Sequence, residues 1–412
     1  MTVSLPTLVI VETTSYLRAA NADKDGLNPT GHFLEQIEAF SSSWPGHVVL
    51  MSPAQTPRTL IGVDEYIDMP IDAQPSLFLK YRKSIKRKAM LHYMSKAGLN
   101  SIVRLLLRIE YESFGASSIG ALVLKTLERF PNSVVLMPTA TERVVEGIIR
   151  NLARATPPRG AATSFIPIWH INDRWNPLLS RPFSDQIARW TARAKPWTFN
   201  HTAALESNAI ELSTPTSNVQ WLPWPIPDET PVAPAMEPPR IYIYSVRKEH
   251  GIRHIAELCD SLLENSGSIQ LRLWISRMCQ RTLWKTASHP RVEILLHGGE
   301  ISRYKSSFEG VTLAILPYDA ESYIKRGSAV LLSLMANRVP VIAPRGTGIG
   351  EFVEREKVGL TFTNYGEIAQ LVRQIISAHA THVEAINSYL VKHNRAASDL
   401  YSSLHKPPEG AE

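Results

Sequence analysis

Residues 318–362 read YDAESYIKRGSAVLLSLMANRVPVIAPRGTGIGEFVEREKVGLTF. The stretch reads as a loop, a short Gly327-Ser328 turn, an apolar helix, a buried strand (Val339-Pro340-Val341-Ile342), a Gly-rich loop, a helix and a final strand. A Gly-Ser turn that opens a helix presents unpaired backbone N–H groups at the positive end of the helix dipole. That geometry suits a phosphate or diphosphate. The second Gly-rich loop leaves its strand where a ligand sits in an open α/β sheet. Two such loops close together point to a nucleotide-linked ligand.

Outward from this stretch the same rhythm repeats. Thr7–Glu12 (TLVIVE) is a nearly continuous apolar run, the mark of a strand buried on both faces. A polar loop ending in GLNPTGHF leads into a helix with Phe33, Ile37 and Phe40 on one face, then a strand over His47–Met51. This is a β-α-β unit. Helices follow over Ile119–Phe130, Arg143–Ala153 and Phe183–Ala194, with strands over Val134–Met137, Phe165–Trp169 and Trp197–Asn200. Pro223–Pro238 holds six prolines, so nothing regular runs through it, and it marks a domain boundary. Beyond it come a strand at Ile241–Tyr244, a helix at Ile252–Leu263, and strands at Ile269–Ile275, Val292–Leu296 and Val311–Leu316.

The expected fold class is therefore α/β, with two doubly wound Rossmann-like domains facing across a cleft. The expected divisions are a first domain over 1–222, a linker over 223–239 and a second domain over 240–380. A helix over 381–404 is expected to cross back to the first domain. A chain of 412 residues is too long for one ordinary core.

Composition bounds the function. The chain is 44% hydrophobic and 20% charged, as in soluble globular proteins, and no uncharged apolar run is long enough for a transmembrane helix. The N-terminus enters a strand-like run without a signal-peptide pattern, so the expected compartment is the cytoplasm. Cys259 and Cys279 sit in apolar stretches outside any C-x-x-C unit and read as reduced core residues. The net charge is +6, and it is concentrated: Lys80–Arg108 carries nine Lys/Arg and no Asp or Glu, with apolar residues at roughly helical spacing. Two readings stay open for it: peripheral attachment to an anionic membrane surface, on the inner face of the plasma membrane, or a solvated basic face. Only Tyr81 and Tyr93 are aromatic there, too few for a stacking platform, so no nucleic-acid partner is expected. None of the 13 histidines has a defensible metal-ligand spacing, and neither a nucleophile elbow nor a P-loop is present. No metal is expected.

Taken in order, several pieces resemble a known family. GLNPTGHFLEQIEAF with HVVLMSP, VQWLPWPI, IYIYSVRKEHGIRHIAEL, ILPYDAESYIKRGSAVLLSLMANRVPVIAP and GIGEFVEREKVGLTF resemble successive segments of glycosyltransferases of the two-domain B fold. The similarity is to the retaining kind, with a C-terminal half like that of glycosyltransferase families one and four in bacterial exopolysaccharide clusters. It covers the C-terminal half well and the N-terminal half loosely, and order and spacing carry it. The resemblance implies transfer of a sugar from a UDP- or GDP-sugar to a glycan or lipid-linked acceptor in surface-polysaccharide assembly. It implies no cofactor beyond that nucleotide-sugar co-substrate, and a basic pair with a helix N-terminus in place of a metal ion.

Residue by residue, the resemblance implies donor-binding roles for Arg247, Lys248 and His250 in SVRKEHG, and for the turn Arg326, Gly327, Ser328 and Ala329. Here His250 stands where the family has a Lys, and Lys248 is the candidate substitute. His170 matches a family histidine at the donor sugar and is the candidate catalytic residue; the alternative is a histidine bonded within a turn. Asp173 is an acceptor-side candidate that either orients an imidazole or a substrate hydroxyl, or caps a turn. Gly31 and His32 are acceptor-side candidates, the alternative being simple capping of the helix by Thr30. Glu12 reads as a solvated loop carboxylate or as an acceptor contact. Thr347 is a candidate for the donor sugar or phosphate, while Gly346, Gly348 and Gly350 let the loop turn. One departure matters. The family carries two Glu residues where this chain has Lys325 and Ser333, and the second of them bonds the donor ribose. Three readings stay open: the ribose is held differently, the donor is unusual, or the protein no longer transfers sugar. A non-catalytic glycan- or partner-binding protein and an epimerase or hydrolase on the same fold are the competing functions.

Overall fold

The computed structural model describes residues 5–12, 31–54, 56–69, 119–140, 142–157, 163–169, 183–195, 197–203, 213, 219–222, 225–226, 234–246, 248–276, 280, 283–296, 301–324 and 327–404. The chain divides into two compact units, with one division between Leu222 and Pro223 where the Pro-rich stretch begins.

The first unit is built on an eight-stranded sheet: β1 (Thr7–Val11), β2 (Val48–Pro53), β3 (Glu65–Met69), β4 (Ser133–Ala140), β5 (Ser164–Trp169), β6 (Thr198–Phe199), β7 (Thr202–Ala203) and β8 (Gln220–Trp221). Its order is β3-β2-β1-β4-β5-β7-β8, with β6 also paired to β5, and every described pair is parallel. Parallel strands need both faces covered. That is why TLVIV is apolar throughout: Val9 and Val11 pack with a helix over 119–129 and with the helix Glu142–Leu152, and Leu8 and Ile10 on the opposite face are just as buried. Sequence reading passed over β3, β7 and β8. EYIDM in β3 is a half-buried edge strand carrying charge, and charged edges blunt strand pairing at the expense of an apolar signal. The other two are two residues long.

The second unit holds a six-stranded sheet: β9 (Arg240–Ser245), β10 (Gln270–Ile275), β11 (Val292–Leu296), β12 (Leu313–Ile315), β13 (Val341–Pro344) and β14 (Gly359–Phe362). Its order is β11-β10-β9-β12-β13-β14, all parallel. Alternate residues divide between two cores, as the two-residue period of a strand requires. Ile241, Ile243, Leu271, Leu273 and Ile315 pack to one side. Tyr242, Tyr244, Trp274, Ala314 and Leu316 pack to the other.

The helices, in chain order, are α1 (Gly31–Ser42), α2 (Glu142–Leu152), α3 (Phe183–Ala194), α4 (Ile255–Asn265), α5 (Trp284–Ala287), α6 (Ile301–Ser306), α7 (Ala320–Tyr323), α8 (Ala329–Ala336), α9 (Gly348–Glu356), α10 (Ile368–Ser377) and α11 (His379–Leu404), besides the helix over 119–129. In α4 the buried residues Ile255, Leu258, Cys259 and Leu262 recur at one-turn spacing, the stripe that seats a helix on a sheet. Cys259 is free, and burial pushes its thiol up to about 12. Cys279 lies outside the described residues.

The units depart from the sequence reading at α1. Residues 28–43, which contain it, group with the second unit; α11 groups with that unit as far as Tyr401, and its end from Ser402 groups with the first unit. The departure at α1 has a visible cause. Glu35 of α1 accepts a hydrogen bond from Ser333 of α8, and Glu38 pairs with Lys305 of α6 at 3.2 Å. For α11, Ile386 and Leu390 are buried in the core shared with α8. Part of the Pro-rich stretch is also fastened to the second unit. Ile226 is buried in that core, and Ala235 bonds through its N–H to the Gly310 carbonyl at 3.0 Å.

Candidate functional site

The order of the second sheet places the site. Counting from β9, it is the 3-2-1-4-5-6 order of doubly wound nucleotide-binding folds. Connections leave β9 towards β10 and β12 leads away on the other side, so a crevice opens at the carboxyl ends of β9 and β12. The segments that follow these two strands are the ones sequence reading singled out.

After β9 the chain makes a 3-10 turn, Lys248–His250. The buried Ser245 hydroxyl donates to the His250 carbonyl at 2.8 Å and closes the turn. Gly251 then lets the turn lie against the segment after β12. Its φ is +71°, and an added Cβ would stand 2.0 Å from the Pro317 carbonyl oxygen, so only glycine fits. Asp319 N–H donates to the Glu249 carbonyl at 2.8 Å and joins the two segments.

An aromatic cluster lines this junction. The His250 ring stacks on Tyr318 at 4.6 Å, and its Nε2 lies 2.7 Å from the Tyr323 hydroxyl. Tyr318 and Tyr323 are themselves 4.4 Å apart, and Tyr244 packs at 5.4 Å from His250. His250 is only 4% exposed, so its ring braces the turn from inside. Burial holds the Tyr318 hydroxyl well above the usual tyrosine range, so it stays protonated at neutral pH. The Tyr318 hydroxyl lies 3.2 Å from Ser328 Oγ, which ties the cluster to the Gly-Ser turn. Tyr318 and Tyr323 stand in the stretch from 318 to 362, but nothing in their spacing revealed that they would pack with His250 and Tyr244.

The Gly327-Ser328 turn does open a helix. Ser328 is the N-cap of α8, in extended conformation, and its hydroxyl accepts from Leu331 N–H. Gly327 is exposed and Ala329 is the first helical residue. Thr347 caps α9 in the same way. Its hydroxyl donates to the Pro344 carbonyl at 2.8 Å and accepts from Gly350 N–H at 2.9 Å, and the residue is fully buried. The Thr347 side chain is thus committed to shaping its loop.

Position 333 lies one turn into α8. Ser333 is 4% exposed, donates to Glu35 and accepts from the Tyr304 hydroxyl at 3.1 Å. The carboxylate of Glu35 is held at this position from α1. Sequence reading gave Glu35 no role.

Several candidates fall elsewhere. His170, Asp173, Arg247, Lys325 and Arg326 lie outside the described residues, as does the Lys80–Arg108 segment. Gly31 and His32 begin α1 as expected, and Lys248 lies in the 3-10 turn. Glu12 corrects the reading as a solvated loop carboxylate: at 5% exposure it is buried at the end of β1, where its N–H donates to the Met51 carbonyl at 2.9 Å. Among the described residues, no group of three or more His, Cys, Asp or Glu could hold a metal ion, and no helix is long and apolar enough to cross a membrane.

No protein-family model and no curated protein matches the sequence. Solved structures do match the fold. The chain is similar to an OtsA apo structure, at 10% identity over 97% of this chain and 99% of that one, with a TM-score of 0.58. It is similar to a trehalose-6-phosphate structure from E. coli bound with UDP-2-fluoro glucose, at 10% identity over 97% and 99%, with a TM-score of 0.55. It is also similar to the glycosyltransferase SnogD from Streptomyces nogalater, at 12% identity over 98% and 99%, with a TM-score of 0.52. With two doubly wound parallel sheets in one chain, and with neighbours that match along nearly its full length, this protein has the B fold of glycosyltransferases.

Proposed function

We propose that the protein is a glycosyltransferase that moves a sugar from a UDP- or GDP-linked donor to a glycan or lipid-linked acceptor, in the assembly of bacterial surface polysaccharide. One observation carries the reading. The Gly-Ser turn and the β9 turn are braced together at the switch point of the second sheet, by Gly251 against Pro317 and by His250, Tyr318 and Ser328. A diphosphate leaving group develops negative charge as the sugar departs. The amino end of α8 offers N–H groups and a positive dipole there, and Arg247, Lys248 and Arg326 are the cations next to the same turns in sequence. His250 and Thr347 act in this reading through the turns they hold. His170 serves the reacting sugar, and Gly31, His32 and Asp173 the acceptor side. The UDP-2-fluoro glucose bound to the E. coli neighbour supports a uridine donor.

In this reading catalysis needs neither a metal ion nor a cofactor besides the nucleotide sugar, so EDTA leaves turnover unchanged. The protein works in the cytoplasm, with Lys80–Arg108 holding it on an anionic membrane face. A thermal-shift series with UDP, GDP, dTDP and their common sugars tests the donor site first, because a ligand that binds only the folded state raises the melting temperature. The expected result is a selective shift that Arg247→Ala abolishes, followed by release of the nucleoside diphosphate when acceptor is added.

A second reading is a non-catalytic B-fold protein that binds a glycan or a partner transferase. Ser333 in place of the family carboxylate, buried beneath α1, favours it. Nucleotide-sugar turnover lost on Arg247→Ala would exclude it.

A further inference from the structure

We propose that Glu35 and Gln36 of α1, with Ser333 of α8, form a pocket that grips a vicinal diol of the nucleotide-sugar donor. The inference rests on the donor reading above and adds to it the residues that replace the missing carboxylate. All three side chains are buried, at 6%, 9% and 4% exposure. They line one cavity with Ala329, Pro225 and Ile226, whose empty space of ≈ 330 Å³ opens to solvent. The space left in it for a guest is ≈ 20 Å³, room for a group the size of a hydroxyl or a water molecule.

Two observations on the polar groups point to a ligand. Ser333 donates to the Glu35 carboxylate while accepting from Tyr304 at 3.1 Å, so the carboxylate is held in a fixed place. Glutamate at position 333 would project its carboxylate two bonds beyond the point where the serine oxygen ends. Glu35, bonded to that oxygen, sets a carboxylate beside the same point from a different helix. Beside it, both Nε2 and Oε1 of Gln36 are buried without a hydrogen-bond partner. A buried amide with neither bond made is costly, and its neighbours in this cavity leave it to a ligand. A carboxylate only accepts, whereas an amide donates and accepts. Adjacent hydroxyls complement the pair: one donates to Glu35, and the other exchanges bonds with Gln36. The donor offers such a diol on its ribose and on its sugar.

The test is isothermal titration of the full-length protein with UDP, GDP and their 2′-deoxy forms, and with UDP-glucose against UDP-2-deoxyglucose. A ribose diol makes the 2′-deoxy nucleotides bind about tenfold weaker or worse, as expected for loss of a charge-assisted hydrogen bond. A sugar diol moves that loss to the deoxyglucose pair. In either case Glu35→Gln, which keeps the shape, brings the two members of the affected pair together, and Gln36→Ala weakens the hydroxylated member. Equal affinities within every pair for the wild-type protein, a comparison that needs no variant, overturn the pocket and leave the donor reading standing. Discrimination that survives both substitutions also overturns it. Binding of neither UDP nor GDP overturns the donor reading and the pocket together.

Discussion

Gly251 is the residue on which the second unit's crevice depends. Alanine there meets both a left-handed backbone at φ +71° and the Pro317 carbonyl at 2.0 Å. Gly251→Ala should destabilise the unit by more than about 2 kcal/mol, by strain and lost packing together, and should abolish nucleotide-induced stabilisation. Chemical denaturation with and without UDP measures both effects. His201, in the first unit, carries a different expectation. Trp169 Nε1 donates to its Nδ1 at 3.1 Å, and its Nε2 lies 2.9 Å from a Thr191 hydroxyl that itself donates to the Ile187 carbonyl. The ring is therefore neutral, with its proton on Nε2. Burial lowers its pKa from 6.5 to about 4. Above pH 6.5 folded and unfolded forms are both neutral, and its contribution is fully present. As pH falls from there to about 4, the unfolded chain takes up a proton that the folded one refuses, and stability is lost. The loss is on the order of 3 kcal/mol at the lower end, from roughly 1.4 kcal/mol per pKa unit. Urea denaturation at pH 7 and pH 5 should show this slope, and His201→Gln should flatten it. Sequence reading singled out neither residue's constraint: Gly251 needed the approach of Pro317, and His201 needed Trp169 and Thr191 to converge on it.

Elements were read more faithfully than their partners. The α1 pattern was visible in FLEQIEAF, and Ile37 and Phe40 are buried as that pattern requires. The polar residues Glu35, Gln36 and Glu38 are buried too, and no periodicity foretells that, because their burial comes from contacts with α6 and α8. The Pro-rich stretch reads as a linker, because proline disfavours regular structure. What fastens it is Thr312 of the second unit, fully buried. Its hydroxyl donates to the Ala235 carbonyl and accepts from the Arg240 N–H at 2.9 Å. Thr312→Val keeps the shape and leaves both groups unpaired. It should cost roughly 1–3 kcal/mol and speed proteolysis between residues 223 and 239. Cleavage at the wild-type rate would show that the linker is held by other contacts.

For the molecule as a whole, the net charge of +6 is concentrated in one segment, and that concentration belongs to function rather than fold. If Lys80–Arg108 holds the protein to anionic lipid, co-sedimentation with vesicles rich in phosphatidylglycerol should be strong at low salt and fall as salt screens the surface. Replacing Lys83, Lys86, Arg87 and Lys88 with Gln should remove most of it, without changing nucleotide-induced stabilisation. Unchanged sedimentation would leave the segment as a solvated basic face.

By itself the sequence determined the fold class, the rhythm of the second sheet and the two loops that leave it. Each of these is written in short-range patterns: apolar runs for strands buried on both faces, Gly-Ser and Gly-rich turns for helix starts, and prolines at a boundary. It also exposed the loss of a carboxylate at Ser333, through a resemblance in order and spacing. Only the tertiary structure decided that α1 belongs with the second unit, that His250 is committed to a tyrosine cluster, and that Glu35 stands beside Ser333. Those facts join residues up to 298 positions apart, and no local pattern of apolar and polar residues encodes which distant side chain will meet a given hydroxyl.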